Sequence, residues 1–302
     1  MSRAKVFHVE HLSFDYGPDL PALRDVSFEV LDGETVCLLG ANGCGKSTLL
    51  RLLDGLLAPT AGRIEAWGSE ITKERLSDEA WNGEFRRRVS LLFQDADVQL
   101  FCPTVLEDVA FGPLQLGASP ADARARAEEL LELFGLAKLA MRVPSTLSGG
   151  QKRRVALASC LATDPDVLLM DEPFAALDPR SQVELLEVLQ QLQDRGKTIL
   201  IATHDLGFAE EVAARALLLS EEHTLLVDGT VEEVLSDERL LLQANVIHEH
   251  SHRHGGIRHS HPHRHGARHG THHHTHGVQD HAHEEPRDDG HCGSGRPPCP
   301  SG

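Results

Sequence analysis

The stretch TVCLLGANGCGKSTLLRLL, residues 35–53, decides the fold of this chain. It begins with a near-continuous apolar run, Thr35–Gly40, which is typical of a strand buried on both faces. Three glycines then interrupt the run, and the residues after Lys46 return to helical spacing. A strand, a glycine-rich loop and a helix in this order are the setting that a phosphate-binding loop requires.

The loop itself, GANGCGKST, matches the pattern G-x-x-x-x-G-K-[ST]. Its glycines let backbone N–H groups turn inward around phosphate oxygens, and the helix adds its positive N-terminal end. Lys46 is expected to reach the β- and γ-phosphates and Ser47 to ligate Mg²⁺. A glycine-rich turn arising by chance is disfavoured by the length and setting of the pattern. The nucleotide-binding residues predicted here are Gly40, Asn42, Gly43, Gly45, Lys46, Ser47 and Thr48.

A second candidate site is VLLMDE, Val167–Glu172, where two carboxylates follow an apolar strand. Ligands of α/β sheets bind at the carboxyl ends of the strands. Asp171 is expected to hold the Mg²⁺ shell, and Glu172 to polarise the attacking water as general base. Alone, such a pair more often begins a helix or a turn. Behind a phosphate loop, the catalytic interpretation is favoured.

The segment LSGGQ, Leu147–Gln151, is the decisive motif for function. Ser148 and the two glycines open a helix and form a second anion cradle that has no lysine in its own loop. Two phosphate-binding surfaces on one chain suggest that one of them serves the nucleotide of a neighbour. With these three motifs, residues 5 to about 240 resemble the ATP-binding subunits of ABC transporters.

The resemblance implies ATP and Mg²⁺ as cofactors and two copies that bind two ATP molecules head to tail. The segment Ser148, Gly149, Gly150 and Gln151 of one copy then closes over the ATP of the other. Four further residues match family positions: Tyr16 stacks on adenine, Gln94 senses Mg²⁺, Asp178 crosses the dimer interface and His204 contacts the γ-phosphate. Without the resemblance, Tyr16 would be an ordinary aromatic and His204 a structural histidine.

The order of elements predicts an α/β fold. VLLMD and TILIATH (Thr198–His204) flank a helical stretch, which gives a β-α-β unit and a mostly parallel sheet. The resemblance to ABC transporter ATPases further implies the fold class, an α/β P-loop NTPase with a RecA-like mixed or parallel core sheet, an antiparallel β subdomain and an inserted helical subdomain at approximately 95–163. Caps at Ser119 and Ser148 begin two of its helices. The ATPase domain is predicted to cover residues 1–247.

Charge and composition restrict the partners. The 302 residues carry 29 Lys+Arg against 46 Asp+Glu, a formal net charge of -17, and 4% of them are aromatic. An acidic chain with few aromatics is disfavoured as a partner of nucleic acid. No apolar run approaches the roughly 18–20 residues that cross a bilayer, and no secretory signal is visible. We expect a peripheral protein at the cytoplasmic face of the membrane, carried there by another chain, with reduced cysteines.

The stretch Phe93–Pro113, FQDADVQLFCPTVLEDVAFGP, is similar to the ATPases of energy-coupling-factor importers, especially the cobalt and nickel branch. The resemblance implies integral membrane coupling and substrate-binding subunits as partners. Beside Gln94 it predicts a groove, lined by Leu100, Phe101 and Val105, that receives a helix of a membrane subunit. Packing within the helical subdomain is the alternative for any one of these residues. The same pattern also serves vitamin importers.

The last segment, residues 248–302, has a different composition. Sixteen histidines lie between His248 and His291, many as H-x-H pairs, among Arg, Gly, Ser and Pro. Such a sequence buries too little apolar surface to fold, so disorder without metal is predicted. Imidazole suits Ni²⁺, Co²⁺ and Zn²⁺. Metal capture is favoured over a merely solubilising tail, with His272, His273, His274 and His276 as candidate ligands.

Together these features predict an ATP-hydrolysing subunit that energises import of Co²⁺ or Ni²⁺ through membrane partners. The alternatives are an energy-coupling-factor ATPase for a vitamin or other micronutrient, a His-rich nickel metallochaperone GTPase, and an ABC ATPase acting on DNA or ribosomes. The chain lacks the N-K-x-D guanine motif of the metallochaperones. Because Cys44 stands in the phosphate loop, alkylation of its thiol is expected to block hydrolysis unless ATP protects it.

Overall fold

A computed structural model of the chain describes residues 3–175, 177–254 and 257–264. Its strands are β1 Lys5–Asp15, β2 Pro21–Leu31, β3 Thr35–Leu39, β4 Ala61–Ala66, β5 Ser69–Glu70, β6 Val89–Leu92, β7 Val167–Asp171, β8 Thr198–Ala202, β9 Arg215–Leu219, β10 Leu225–Thr230, β11 Ile247–His254 and β12 Ile257–Arg264. Its α-helices are α1 Lys46–Leu53, α2 Lys73–Ser77, α3 Glu79–Arg88, α4 Val105–Gln115, α5 Pro120–Leu133, α6 Gly149–Leu161, α7 Pro179–Asp194, α8 Leu206–Val212, α9 Val231–Ser236 and α10 Glu238–Gln243.

The core sheet has the strand order β10-β9-β3-β8-β7-β6. The pairs β9-β3, β3-β8, β8-β7 and β7-β6 are parallel, and only the edge strand β10 is antiparallel to its neighbour. Every residue of β7 and β8 is buried, as their continuous apolar sequences predict. Alternate residues of β3 contribute to two hydrophobic clusters, Cys37 and Leu39 to one and Val36 and Leu38 to the other. The predicted mixed core sheet is confirmed.

The predicted antiparallel subdomain is also present. Four strands pair in the order β2-β1-β4-β5, all antiparallel. The apolar side chains of β1 and β2, such as Phe7 and Leu23, share one cluster with Leu50 of α1 and with one face of the core sheet. The phosphate-loop helix is thus packed between the two sheets. The segment 61–88, which forms β4, β5, α2 and α3, carries no motif that the sequence analysis uses.

The inserted helical subdomain consists mainly of α4, α5 and α6. Its helices begin where the caps predict. The Ser119 hydroxyl accepts from the N–H of Asp122, and the Ser148 hydroxyl accepts from the N–H of Gln151. Thr104 and Glu107 form a reciprocal capping box at the start of α4. No helix among the described residues is long and apolar enough to cross a membrane.

The described part of the segment 248–302 lies in two strands, β11 and β12, and disorder of this segment without metal stays a prediction. The two strands pair antiparallel, with His250 opposite His261 and His252 opposite His259. The physical reason is the period of two: histidines fall at alternate positions on both sides of a Gly-Gly dipeptide, a combination typical of hairpins. The predicted metal ligands His272, His273, His274 and His276 lie outside the described residues. A domain boundary at residue 247 stays a prediction.

Candidate nucleotide-binding and catalytic site

The phosphate loop between β3 and α1 has a backbone that needs glycine. Gly40, Gly43 and Gly45 have φ values of 150°, 86° and 114°. A Cβ atom on Gly45 would lie 2.2 Å from the carbonyl oxygen of Ala22 in β2. The loop therefore closes against the antiparallel sheet at a distance that only glycine allows. Lys46 is buried, and its Nζ donates to the carbonyl oxygens of Gly40 at 2.7 Å and Ala41 at 3.0 Å.

A cavity of about 560 Å³ opens over this loop. Its volume is in the range of small-molecule sites. The cavity brings together the phosphate loop, the two carboxylates after β7, the glutamine after β6 and the N-terminal aromatic. The lining residues are Tyr16, Leu20, Pro21, Ala22, Asn42, Gly43, Gly45, Lys46, Ser47, Thr48, Gln94, Asp171 and Glu172. Ten of these thirteen positions were predicted from the sequence.

Asp171 and Ser47 have the chemistry of a magnesium site. Asp171 is 4% exposed, and burial raises the pKa of its carboxyl, against the lowering effect of a hydrogen bond from the Ser47 side chain. Its Oδ1 is buried and finds no hydrogen-bond partner among the described residues. A desolvated carboxylate oxygen without a partner, beside a hydroxyl, fits a hard cation such as Mg²⁺.

Glu172 is held in a strained position next to His204. Its φ is 47°, in the left-handed region, and Pro173 follows it. Such a conformation costs about 1–3 kcal/mol and persists only where surrounding contacts fix it. Here its N–H donates to the Ala202 carbonyl of β8 at 2.9 Å. The carboxylate Oε1 lies 2.9 Å from Nδ1 of His204, and Oε2 accepts from the Thr203 hydroxyl at 3.3 Å. Two predicted catalytic residues are therefore in direct contact.

Tyr16 is placed to offer its ring to a ligand. Its hydroxyl is 3.2 Å from the Thr48 hydroxyl, and its ring meets the edge of Phe14 at a centroid distance of 4.9 Å. The residue is nevertheless 53% exposed. One face of the only tyrosine in the chain is thus fixed by neighbours, while the other remains available for stacking.

The LSGGQ segment lies outside this cavity. Ser148 and Gly149 are exposed, and the Ser148 N–H donates to Oε1 of Gln151 at 3.0 Å, which completes a capping box. Asp178 is also exposed, where it caps α7, and hydrogen bonds with Ser181 lower the pKa of its carboxyl. The structure of one chain therefore separates Ser148, Gly149, Gly150, Gln151 and Asp178 from the phosphate loop.

Cys44 does not have the environment that the alkylation hypothesis requires. It is 1% exposed, and burial raises the pKa of its thiol, although Lys46 acts in the opposite direction. A thiol reacts as its thiolate, so a buried thiol with a raised pKa is inert. The expectation that alkylation of Cys44 blocks hydrolysis is therefore withdrawn for the folded chain.

A second cavity, of about 630 Å³, lies between α3, α4, α6 and β6. We call it the α4 groove. Phe101 lines it and is 66% exposed, in edge-to-face contact with Phe111. The prediction that Leu100 and Val105 line the groove was wrong. Leu100 packs against the hydrophobic core, and Val105 is fully buried in it. The reason is that Val105 begins α4 on the side facing the subdomain interior.

Asp108 is a groove residue that the sequence analysis passed over. It is 5% exposed, and Oδ1 accepts from the N–H groups of Phe101 and Cys102. Oδ2 is buried and has no hydrogen-bond partner within the described part of the chain. Burial raises the pKa of this carboxyl. The available signal was an acidic residue that directly precedes the apolar run Val109–Phe111.

Fold and site together define a P-loop nucleotide hydrolase with a helical insertion. The sequence pattern of the ABC transporter family matches residues 23–175. The chain belongs to this family as an ATP-binding, ATP-hydrolysing subunit. The resemblance to this family that LSGGQ predicts is confirmed.

Relatives extend the match beyond the family pattern. A putative ABC transporter ATP-binding protein of Methanosarcina acetivorans is 50% identical over 253 residues, 83% of this chain and 92% of the relative. The nickel import ATP-binding protein NikO of Rhodobacter capsulatus is 44% identical over 244 residues, 80% of this chain and 95% of the relative. The cobalt import ATP-binding protein CbiO of the same organism is 44% identical over 241 residues, 80% and 84% of the two chains. The predicted similarity to the cobalt and nickel branch is confirmed.

Two solved structures share the fold. The cbiO1 protein of Clostridium perfringens, part of the complex cbiONQ, superposes with a TM-score of 0.67 at 32% identity, over 80% of this chain and 95% of that one. A dimeric post-hydrolysis state of the cassette MJ0796 with bound ADP and Pi superposes with a TM-score of 0.67 at 28% identity, over 74% of this chain and 98% of that one.

Proposed function

We propose that this chain is the ATPase subunit of an energy-coupling-factor importer for Ni²⁺ or Co²⁺. The observation that carries the proposal is the cavity that joins the phosphate loop to Asp171 and Glu172, while LSGGQ is exposed elsewhere on the same chain. The metal class is supported by relatives named for nickel and for cobalt import at equal identity, 44% each. That equality favours neither metal.

We assign the chemistry of the site to the following residues. Bound Mg²⁺ would be held by Ser47, Gln94 and Asp171, and it supplies charge neutralisation of the phosphates. Lys46 contacts the β- and γ-phosphates once it leaves the two carbonyls that it now bonds. Glu172 takes the proton of the attacking water as general base, and His204, held by its carboxylate, contacts the γ-phosphate.

We further propose that the working form is a head-to-tail pair of chains. The phosphate loop of one chain and Ser148, Gly149, Gly150 and Gln151 of the other would enclose one ATP, with Asp178 at the interface. The exposed cradle of the single chain supports this arrangement because it has N–H donors at a helix N-terminus and no lysine in its own loop. The dimeric MJ0796 cassette supports it by analogy.

Dilution tests the pairing. If ATP is cleaved only at the shared pocket, the turnover per chain should fall steeply below the dissociation constant of the pair. The measurement is phosphate release against chain concentration, with Ser148→Arg as a variant that blocks the cradle. A turnover per chain that stays constant down to strictly monomeric solutions would contradict a shared pocket.

The membrane partner is proposed to insert a helix into the α4 groove. Phe101 and Phe111 would contact its apolar face, and the unpartnered Oδ2 of Asp108 would accept from a basic side chain. This docking would hold the chain at the cytoplasmic face of the membrane. An energy-coupling-factor ATPase for a vitamin remains the alternative, and uptake of ⁶³Ni²⁺ or ⁵⁷Co²⁺ against labelled vitamin by cells with the full system separates the two.

For the tail, residues 248–302, we propose capture of transition metal near the importer. The sequence supports this through its sixteen histidines, and the β11-β12 register supports it by placing histidine opposite histidine at three alternate positions, 248/263, 250/261 and 252/259. A chain ending at Val246 should lose Ni²⁺ binding in a titration and keep basal ATP turnover. Binding should weaken below about pH 6, where free imidazoles become protonated. Unchanged Ni²⁺ stoichiometry after truncation would refute the role.

A further inference from the structure

Arg153 joins three segments that lie far apart in the sequence. It stands in α6, the helix that LSGGQ begins, and is 6% exposed. Its Nη1 donates to the carbonyl oxygens of Phe93 at 2.5 Å and Gln94 at 2.8 Å. Its Nη2 donates to the carbonyl oxygen of Glu172. One guanidinium therefore holds two backbone segments at once.

The two residues after β6 stand on a boundary. Phe93 lines the α4 groove, whereas its neighbour Gln94 lines the nucleotide cavity. The Phe93 N–H is fixed as well, because it donates to Oε1 of Gln99 at 3.3 Å. A shift of this dipeptide toward or away from the groove would therefore pull on the guanidinium of Arg153.

On the other side, Arg153 supports the strained backbone of Glu172. The Glu172 carbonyl also accepts from the N–H of Ala175 at 3.1 Å. The following residue is Pro173, which has no N–H of its own to donate. With φ of 47°, Glu172 keeps its carboxylate direction only while its peptide groups remain anchored. Arg153 is one of those anchors, and it is charged.

We propose that Arg153 is a positioning residue that transmits occupancy of the α4 groove to the general base Glu172. The inference rests on the proposed function of that site. Movement of Phe93 and Gln94 on docking of a membrane helix would be passed through the rigid guanidinium fork to the Glu172 carbonyl. Lysine cannot replace it, because a single ammonium on a flexible stem does not reproduce a planar fork that spans three acceptors.

The test compares Arg153→Lys with Arg154→Lys in the purified full chain. Arg154 is the next residue of α6 and carries the same charge, but it bonds the Phe134 carbonyl and Glu184 instead. For Arg153→Lys we expect kcat for ATP to fall at least tenfold, while the Kd for ATP changes less than threefold. Arg154→Lys should retain kcat within about twofold. Arg153→Met, which removes the charge and keeps the stem, should lose as much or more.

A second measurement does not depend on hydrolysis. Amide hydrogen exchange should accelerate in Arg153→Lys at two segments together, 93–99 and 172–177, and stay unchanged at the phosphate loop 40–48. Acceleration at only one of the two, or wild-type kcat in Arg153→Lys, would overturn the inference. Parallel loss of ATP affinity and kcat would also overturn it, since Arg153 would then only maintain the cavity. If the purified wild-type chain did not hydrolyse ATP, the proposed function would be refuted. The coupling between the α4 groove and Glu172 through Arg153 would still be decided by hydrogen exchange, which does not depend on hydrolysis.

Discussion

Individual residues of the site differ in how far the sequence could reveal them. The phosphate loop was predictable because its pattern is local: Gly45 must be glycine where it meets the Ala22 carbonyl, and Lys46 must follow it. Arg153 was not predictable in the same way. Its three acceptors lie 19 to 60 residues away, and its only local signal is its place in the cationic run Lys152–Arg154 behind LSGGQ. A contact of this kind requires the tertiary structure.

Replacing Glu172 with Gln tests the proposed role of Glu172 as general base. The amide keeps the size of the side chain and its contact with His204, but it cannot take a proton from water. We expect ATP binding and pairing to persist and kcat to fall by about 10²–10⁴. Phosphate release and size-exclusion chromatography with ATP measure the two effects. Glu238→Gln, at an exposed position of α10, serves as the matched control. Wild-type turnover in Glu172→Gln would remove Glu172 from the mechanism.

At the scale of elements, the buried apolar strands were the most predictable part of the fold. β7 was predicted at its observed bounds, Val167–Asp171. Four consecutive apolar residues that end at the site carboxylate Asp171 are typical of a short strand buried on both faces. The α4 groove was less predictable. Helical spacing indicates that α4 exists, but which of its sides meets the core depends on the packing of α5 and α6, so Val105 was assigned to the wrong side.

Asp54 links two elements and should make stability depend on pH. It ends α1, and Arg86 of α3 donates to its carboxylate at 2.8 Å and to its carbonyl at 2.8 Å. Burial nevertheless raises the pKa of its carboxyl from 3.8 to about 6, which outweighs the effect of Arg86. The folded chain thus binds this proton more tightly than the unfolded chain. The contribution of this tighter proton binding to the free energy of unfolding is complete below about pH 4 and is lost as pH rises through about 6.

Two pKa units correspond to about 3 kcal/mol, so Asp54→Asn should flatten the pH dependence by up to that amount. The measurement is urea denaturation of the wild-type protein and of Asp54→Asn between pH 4 and 7. Comparing the two chains removes the contributions of Asp108 and Asp171, whose pKa values are also raised and which both chains share. A parallel pH profile for wild type and Asp54→Asn would show that Asp54 is not the group responsible.

At the scale of the whole molecule, the proposed docking of the membrane partner in the α4 groove can be tested by substitution. Asp108→Asn keeps the acceptor oxygen that bonds Phe101 and Cys102, but it removes the negative charge that a basic helix would meet. We expect Asp108→Asn and Phe111→Ala to lose co-purification with the membrane subunits by at least tenfold. Kd for ATP should stay within threefold of wild type. Glu132→Gln, on the exposed face of α5, is the control. Full co-purification of both groove variants would place the docking surface elsewhere.

The close approach of Gly45 to Ala22 has a mechanical consequence. The loop backbone has no room to approach Ala22 further, and α1, which the loop begins, shares one hydrophobic cluster with β1 and β2. The antiparallel sheet should therefore turn as one rigid body with the phosphate loop when nucleotide enters, and carry Tyr16 along.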